Sequence, residues 1–174
     1  MASNVHERTI NAPVAAVGHL MDRLGGAEDR LWPAPEWAPM VLDRPLQVGA
    51  DGGHGSIRYR VIEYEPGRRV RFEFRPGSGF DGWHEFSVQP VGPDRCRVRH
   101  VVIAQPRGVL RILFPLCVRA LHDAVLEDLL DRAELAATGR VERPARWSGW
   151  VRLWRVTEDS ERRRGEQLAA AVAR

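Results

Sequence analysis

Lysine is absent from the 174-residue chain: all 26 basic side chains are arginine, set against 23 acidic ones for a net charge of +3. A complete exchange of lysine for arginine reflects genomic base composition, so the basic isoelectric point carries no nucleic-acid inference. The charges are interspersed, without the one-sided basic stripe that phosphate binding needs, and no nucleic-acid partner is expected. Cysteine is scarce. Cys96 and Cys117 sit in apolar settings without C-x-x-C spacing, which predicts reduced core thiols and argues against a secreted disulfide framework. Long apolar runs are also missing: Ile112 to Val118 is the longest, far short of the roughly 20 residues that span a bilayer. Met1 to Glu7 lacks the charged-then-apolar pattern of a signal peptide. A soluble, cytoplasmic protein is the expectation. No nucleophile elbow, dinucleotide fingerprint or Ser-His-Asp ordering is present, and Gly49 to Gly55 lacks the Lys-Ser/Thr and following helix of a phosphate loop. No cofactor is expected.

What is present is an ordinary globular balance, 44% hydrophobic, enough for one domain with its own core. Val5 to Ala12 alternates weakly, and Pro13 opens a helix at the position where its missing N–H costs nothing. Val14, Val17, Met21 and Leu24 share a helical face that Gly25-Gly26 ends. A second short helical segment, Ala27 to Leu31, leads into Trp32 to Pro39, too rich in proline for a helix or central strand.

Strand signals follow. Val41 to Val48 reads as an edge strand broken by Pro45. Gly49 to Gly55, with Asp51 and His54, reads as a hairpin loop, either a simple turn or a mobile lid. Ile57, Tyr59 and Val61 alternate along the next strand; Val70, Phe72 and Phe74 alternate strictly with Arg69, Arg71, Glu73 and Arg75, the pattern of a half-buried antiparallel strand. A further hairpin turns at Gly92-Pro93-Asp94. Aligning its buried faces places Val88 opposite Cys96, Phe86 opposite Val98 and His84 opposite His100, at cross-strand contact distance. After Gly108, Val109 to Phe114 starts a helix that Pro115 kinks or restarts. Leu116 to Ala137 continues it, with Val118, Leu121, His122, Val125, Leu129 and Ala133 on one side, and Gly139 is a left-handed stop.

One strand, short helices, an antiparallel meander and a long helix make an α+β domain in which only that helix is large enough to cover the apolar sheet face. Five pieces of the chain carry a resemblance: the opening Ile10-Asn11-Ala12-Pro13-Val14, the Trp32…Trp37 segment, Arg68 to Phe74, Trp83-His84-Glu85-Phe86 and the last helix. On these, Val5 to Gly139 resembles the START/Bet v1-like superfamily, specifically bacterial polyketide cyclase/dehydrase and lipid-transport-like (SRPBCC) proteins. The resemblance implies a helix-grip fold, a curved antiparallel sheet wrapped around a long C-terminal helix with two short helices after the first strand. It also implies a hydrophobic ligand held between sheet and helix. Residues 1–139 would be the ligand-binding domain and 140–174 a helical, Trp/Arg-rich extension.

His84 and His100 are the candidate catalytic pair: two imidazoles facing an apolar cavity can polarise a carbonyl and shuttle a proton. The plain alternative is that each fills volume and makes one hydrogen bond. His122 points from the helix toward the same space. Phe72, Phe74 and Phe86, with Trp83, offer aromatic wall, and Tyr59 adds a hydroxyl that needs a partner when buried. Val98 from the sheet and Val118 and Val125 from the helix complete the lining. A metal is not expected, because no H-x-H or H-x-x-x-H spacing is present. Asp123, Glu127 and Asp128 read mostly as solvated helix charges. Trp147, Trp150 and Trp154 lie at helical spacing among arginines, suited to packing on the domain, to a second copy in a homodimer, or to peripheral membrane contact. Three functions follow: binding of a small hydrophobic or aromatic, lipid- or polyketide-like molecule; a polyketide-type aromatase/cyclase or dehydratase; or association through the Trp-rich tail.

Overall fold

The computed structural model describes residues 2–113 and 118–155. Seven strands form one antiparallel sheet in the order β1-β7-β6-β5-β4-β3-β2. They are β1 (Ala2–Ile10), β2 (Met40–Leu42), β3 (Asp51–His54), β4 (Ile57–Glu65), β5 (Arg69–Phe74), β6 (Phe80–Gly92) and β7 (Arg95–Pro106). Among the described residues up to Pro144, the helices are α1 (Val14–Met21), α2 (Leu110–Leu113) and α3 (Arg119–Thr138). The protein is α+β, with the long helix α3 packed on the sheet. Two compact units make up the chain, Met1–Pro144 and Ala145–Arg174. In the second, residues 149–155 are helical, the Trp150 and Trp154 rings lie 6.2 Å apart, and the Arg155 guanidinium stands 5.5 Å from the Trp147 ring.

Strict alternation on β5 buries Val70 and Phe72 completely, while Arg71 on the opposite face pairs with Glu63 and Glu85. Trp83 belongs to that outer face, its ring 4.4 Å beneath the Arg71 guanidinium. It is therefore no part of the inner aromatic wall. α3 ends at Gly139, whose φ of +79° only glycine adopts freely and whose N–H closes the helix on the Leu135 carbonyl at 2.8 Å. The Trp-rich connection is tied to α3: Trp37 Nε1 donates to Asp128 Oδ2 at 2.7 Å and Arg132 to the Ala34 carbonyl at 2.7 Å.

Four local expectations need correction. Ala27 to Leu31 is not a second short helix; the segment is turns, because Asp29 accepts the backbone N–H groups of Gly25, Leu31 and Trp32 at 2.8–2.9 Å in place of helical carbonyls. The edge strand over Val41 to Val48 shrinks to Met40–Leu42. Gly49 to Gly55 is not a single hairpin loop, since Asp51–His54 pairs on both sides as β3 and turns lie at either end of that strand. A Cβ on Gly52 would stand 2.0 Å from the Val41 carbonyl oxygen; glycine here permits close strand approach, not a loop. In the β6–β7 hairpin the register is offset by two residues, so that Val88 faces Val98, Phe86 faces His100 and His84 faces Val102. An even offset keeps every side chain on its face, so apolar alternation cannot detect it. The tight Gly92–Arg95 closure and the irregularity after Pro90 set it. The break at Pro115, and Cys117, lie outside the described residues; Cys96 is buried and free.

Candidate functional site

His84 stands on the inner face of β6 in an aromatic cage. Its ring stacks on Phe72 at 4.8 Å and 13° and lies 4.7 Å from Tyr59, 5.3 Å from Phe74 and 6.1 Å from Phe86. His100, from β7, is its diagonal neighbour across the strand pair, and His100 Nε2 and His84 Nδ1 meet at 3.4 Å. Both rings are buried, at 6% and 3% exposure. His122 reaches in from α3, its ring 5.4 Å from His100 and 6.2 Å from His6 on β1. At the other end, Tyr59 finds the partner its hydroxyl needs in His54 Nδ1 at 3.1 Å, and Trp32 packs on the His54 ring at 4.8 Å. The sheet and α3 thus assemble one continuous row of rings, His54–Tyr59–His84–His100–His122–His6.

Burial decides the charge of this row. It pushes the pKa of His84 and His100 well below the ordinary imidazole value, with His122 and His54 adding repulsion. His54 is lowered to about 4, again mainly by burial, then by His122 and Arg58. Burial raises Tyr59 in turn. His84 and His100 are therefore neutral, and each has one N–H and one bare nitrogen. One donates to the other at the 3.4 Å contact, leaving His84 Nε2 and His100 Nδ1, both buried and without a hydrogen-bond partner among the described residues. Whichever tautomer pair is present, one of these two atoms is a donor and the other an acceptor, and a shared tautomer shift exchanges the roles.

Of the expected lining residues, Tyr59, Phe72, Phe74 and Phe86 surround the histidine pair. Val98 is buried two positions along β7 from His100, and Val125 is buried on α3. Val118 packs with Phe74 and Leu110 against Phe80, Val102 and Ala104, beside the cage. A cleft of about 630 Å³ lies elsewhere, lined by residues including Leu24, Met40, Leu42 and Leu46 and by no described histidine.

Sequence reasoning missed His54 and His6. The first was hidden by its glycines. The second belongs to a polar inner face of β1: Asn4 Nδ2 donates to Asp123 Oδ1 at 2.8 Å, His6 Nδ1 meets Glu127 Oε1 at 2.8 Å, and His6 Nε2 meets Asp123 Oδ1 at 3.0 Å. Arg8 donates to Asp131, to Glu127 at 3.1 Å and to Glu134 at 3.2 Å. Asp123 and Glu127 are thus bound to β1, not simply solvated. Burial alone would raise Asp123; the facing His122, His6 and Asn4 side chains outweigh it and lower the pKa to about 2.

Residues 1–137 match the family described as polyketide cyclase/dehydrase and lipid transport. The chain belongs to that family. Among solved structures, a protein from Thermobifida fusca is similar at 18% identity and TM-score 0.57, over 85% of this chain and 100% of the other. CalU16 from Micromonospora echinospora shares 19% identity at TM-score 0.56, over 97% and 86%. Norcoclaurine synthase from Thalictrum flavum, solved with dopamine and hydroxybenzaldehyde, shares 13% at TM-score 0.59, over 82% and 89%. At these identities the likeness is one of fold. No curated protein matches the chain. The family's Bet v1-like framework is what sets β6, β7 and α3 around the histidine row, and among the described residues no helix is long and apolar enough to cross a membrane.

Proposed function

We propose that the protein binds a small hydrophobic or aromatic molecule carrying a carbonyl or hydroxyl group, in a cavity between the sheet and α3. Tyr59, Phe72, Phe74 and Phe86 form its wall, and His84 and His100 hold its polar end. The observation that carries this reading is the pair of buried nitrogens without a partner among the described residues, His84 Nε2 and His100 Nδ1. A buried polar atom left unsatisfied costs about 1–3 kcal/mol, and a ligand oxygen at either nitrogen would satisfy it, the shared tautomer shift setting whether that nitrogen donates or accepts. Family membership favours the same class of guest.

The test is a fluorescence titration with 2-naphthol and with naphthalene. The full chain is expected to bind both, and His84→Ala and His100→Ala to weaken 2-naphthol about tenfold, the value of one lost hydrogen bond at a buried site, while leaving naphthalene unchanged. Absence of saturable binding, or equal effects on both probes, overturns the reading.

A second reading is favoured by the interchangeable donor and acceptor. Such a pair can take a proton from one carbon or oxygen of a bound polyketide-like ketone and return it at another, the chemistry of aldol closure and loss of water. His84→Asn and His100→Asn would then abolish turnover with affinity kept, whereas a carrier loses affinity alone.

A further inference from the structure

We propose that His6, His122 and Asp123 form a binding site for a divalent cation of borderline softness, for which Zn²⁺ is the probe. The site lies at the surface end of the imidazole row and does not depend on what occupies the buried pair. One ligand atom from each of the three residues lies within 4.8 Å of the others. A tetrahedral Zn²⁺ with bonds of about 2.0–2.1 Å separates its ligand atoms by roughly 3.4 Å. Two edges straddle that value: His6 Nε2 is 3.0 Å and His122 Nδ1 4.0 Å from Asp123 Oδ1. Side-chain exposures of 13%, 24% and 38% for His6, His122 and Asp123 place Asp123 at the solvent edge of the group, the side from which an ion and its water would enter.

Hydrogen-bond accounting distinguishes a cation from a plain ion pair. With the His6 Nδ1–H given to Glu127, the bare Nε2 meets a carboxylate oxygen, two acceptors in contact. A second proton on His6 would resolve that contact and nothing else. It leaves His122 Nδ1 buried and 4.0 Å from the same oxygen, beyond hydrogen-bond distance and with no hydrogen bond to any other described residue. It also leaves Asn4 Oδ1, on a residue only 9% exposed, without a hydrogen bond among the described residues. A cation coordinates the His6 and His122 nitrogens and the Asp123 oxygen at once. The outer shell has the form that metal-binding histidines require: Glu127 orients His6, and Arg8 holds Glu127 at 3.1 Å.

The experiment is calorimetric titration of the chelator-treated full chain with Zn²⁺, and visible absorption with Co²⁺. Expected are one Zn²⁺ per chain and the intense Co²⁺ bands of a tetrahedral site. His122→Ala and Asp123→Ala should each weaken Zn²⁺ at least tenfold, and Glu127→Gln by roughly 10–100-fold, the usual cost of losing an outer-shell partner. His19→Ala, on the exposed face of α1, should change nothing. Circular dichroism establishes that each variant is folded; where His6→Ala is not, His6→Gln replaces it. No saturable heat, or binding that survives His122→Ala and Asp123→Ala in folded protein, overturns the site. Neither result bears on the 2-naphthol titration, so the two proposals fail separately.

Discussion

His54 is held neutral down to about pH 4, and His84 is neutral for the same reason, burial. Their effect on stability has a definite sign. An unfolded chain protonates these rings near pH 6.5 while the folded one does not, so below that value the unfolded state binds more protons and gains stability relative to the fold. Stability from this source is fully present above about pH 6.5 and falls as the pH drops toward 4, by as much as ~3 kcal/mol for His54 alone. Urea unfolding at pH 7.5 and 5 checks it, and His54→Gln is expected to flatten the slope. His84 and His100 were readable in the sequence because strand alternation fixes the face a residue occupies. Their partnership across a diagonal was not, because alternation is blind to a two-residue shift. His54 was hidden for another reason: Gly52 and Gly53 suggest a loop to any local rule, and only the neighbouring strand explains them.

At the scale of elements, β1 and α3 fit each other by rise. Alternate strand residues advance about 6.8 Å and helix residues four apart about 6.0 Å, so Asn4, His6 and Arg8 run in step with Asp123, Glu127 and Asp131. This explains how a helix with so polar a flank packs on the sheet. The signal was legible as a polar alternation on β1 and an acidic i,i+4 series on α3. Reading only for apolar faces passes over it. Arg8→Ala leaves three carboxylates facing one another, and should destabilise the protein by about 2–3 kcal/mol, below the 3–5 of a fully buried pair because the site is partly wet. Arg8→Lys, which keeps the charge but loses the fork, should recover only part. Chemical denaturation of both variants measures it; an unchanged midpoint for Arg8→Ala would show that the pairing holds nothing.

For the whole molecule, order of elements sufficed to predict the fold, because an antiparallel meander with one apolar face requires a cover and only α3 is long enough. The guest was not legible: a cavity depends on side-chain volumes and on a two-residue choice of register that local patterns leave open. Occupancy of the proposed guest site stabilises the entire unit by mass action. Adding 2-naphthol at about 100 times its Kd should contribute about 2.7 kcal/mol and raise Tm by roughly 5–10 °C for a chain of this size, a shift that His84→Ala reduces. The most direct test of the central claim is ¹⁵N NMR of the imidazole rings with and without 2-naphthol at pH 7. His84 and His100 are expected to be neutral, each with one ring proton, and the free nitrogens His84 Nε2 and His100 Nδ1 to shift together on binding. Either ring found protonated, or both unmoved while 2-naphthol binds, would contradict it.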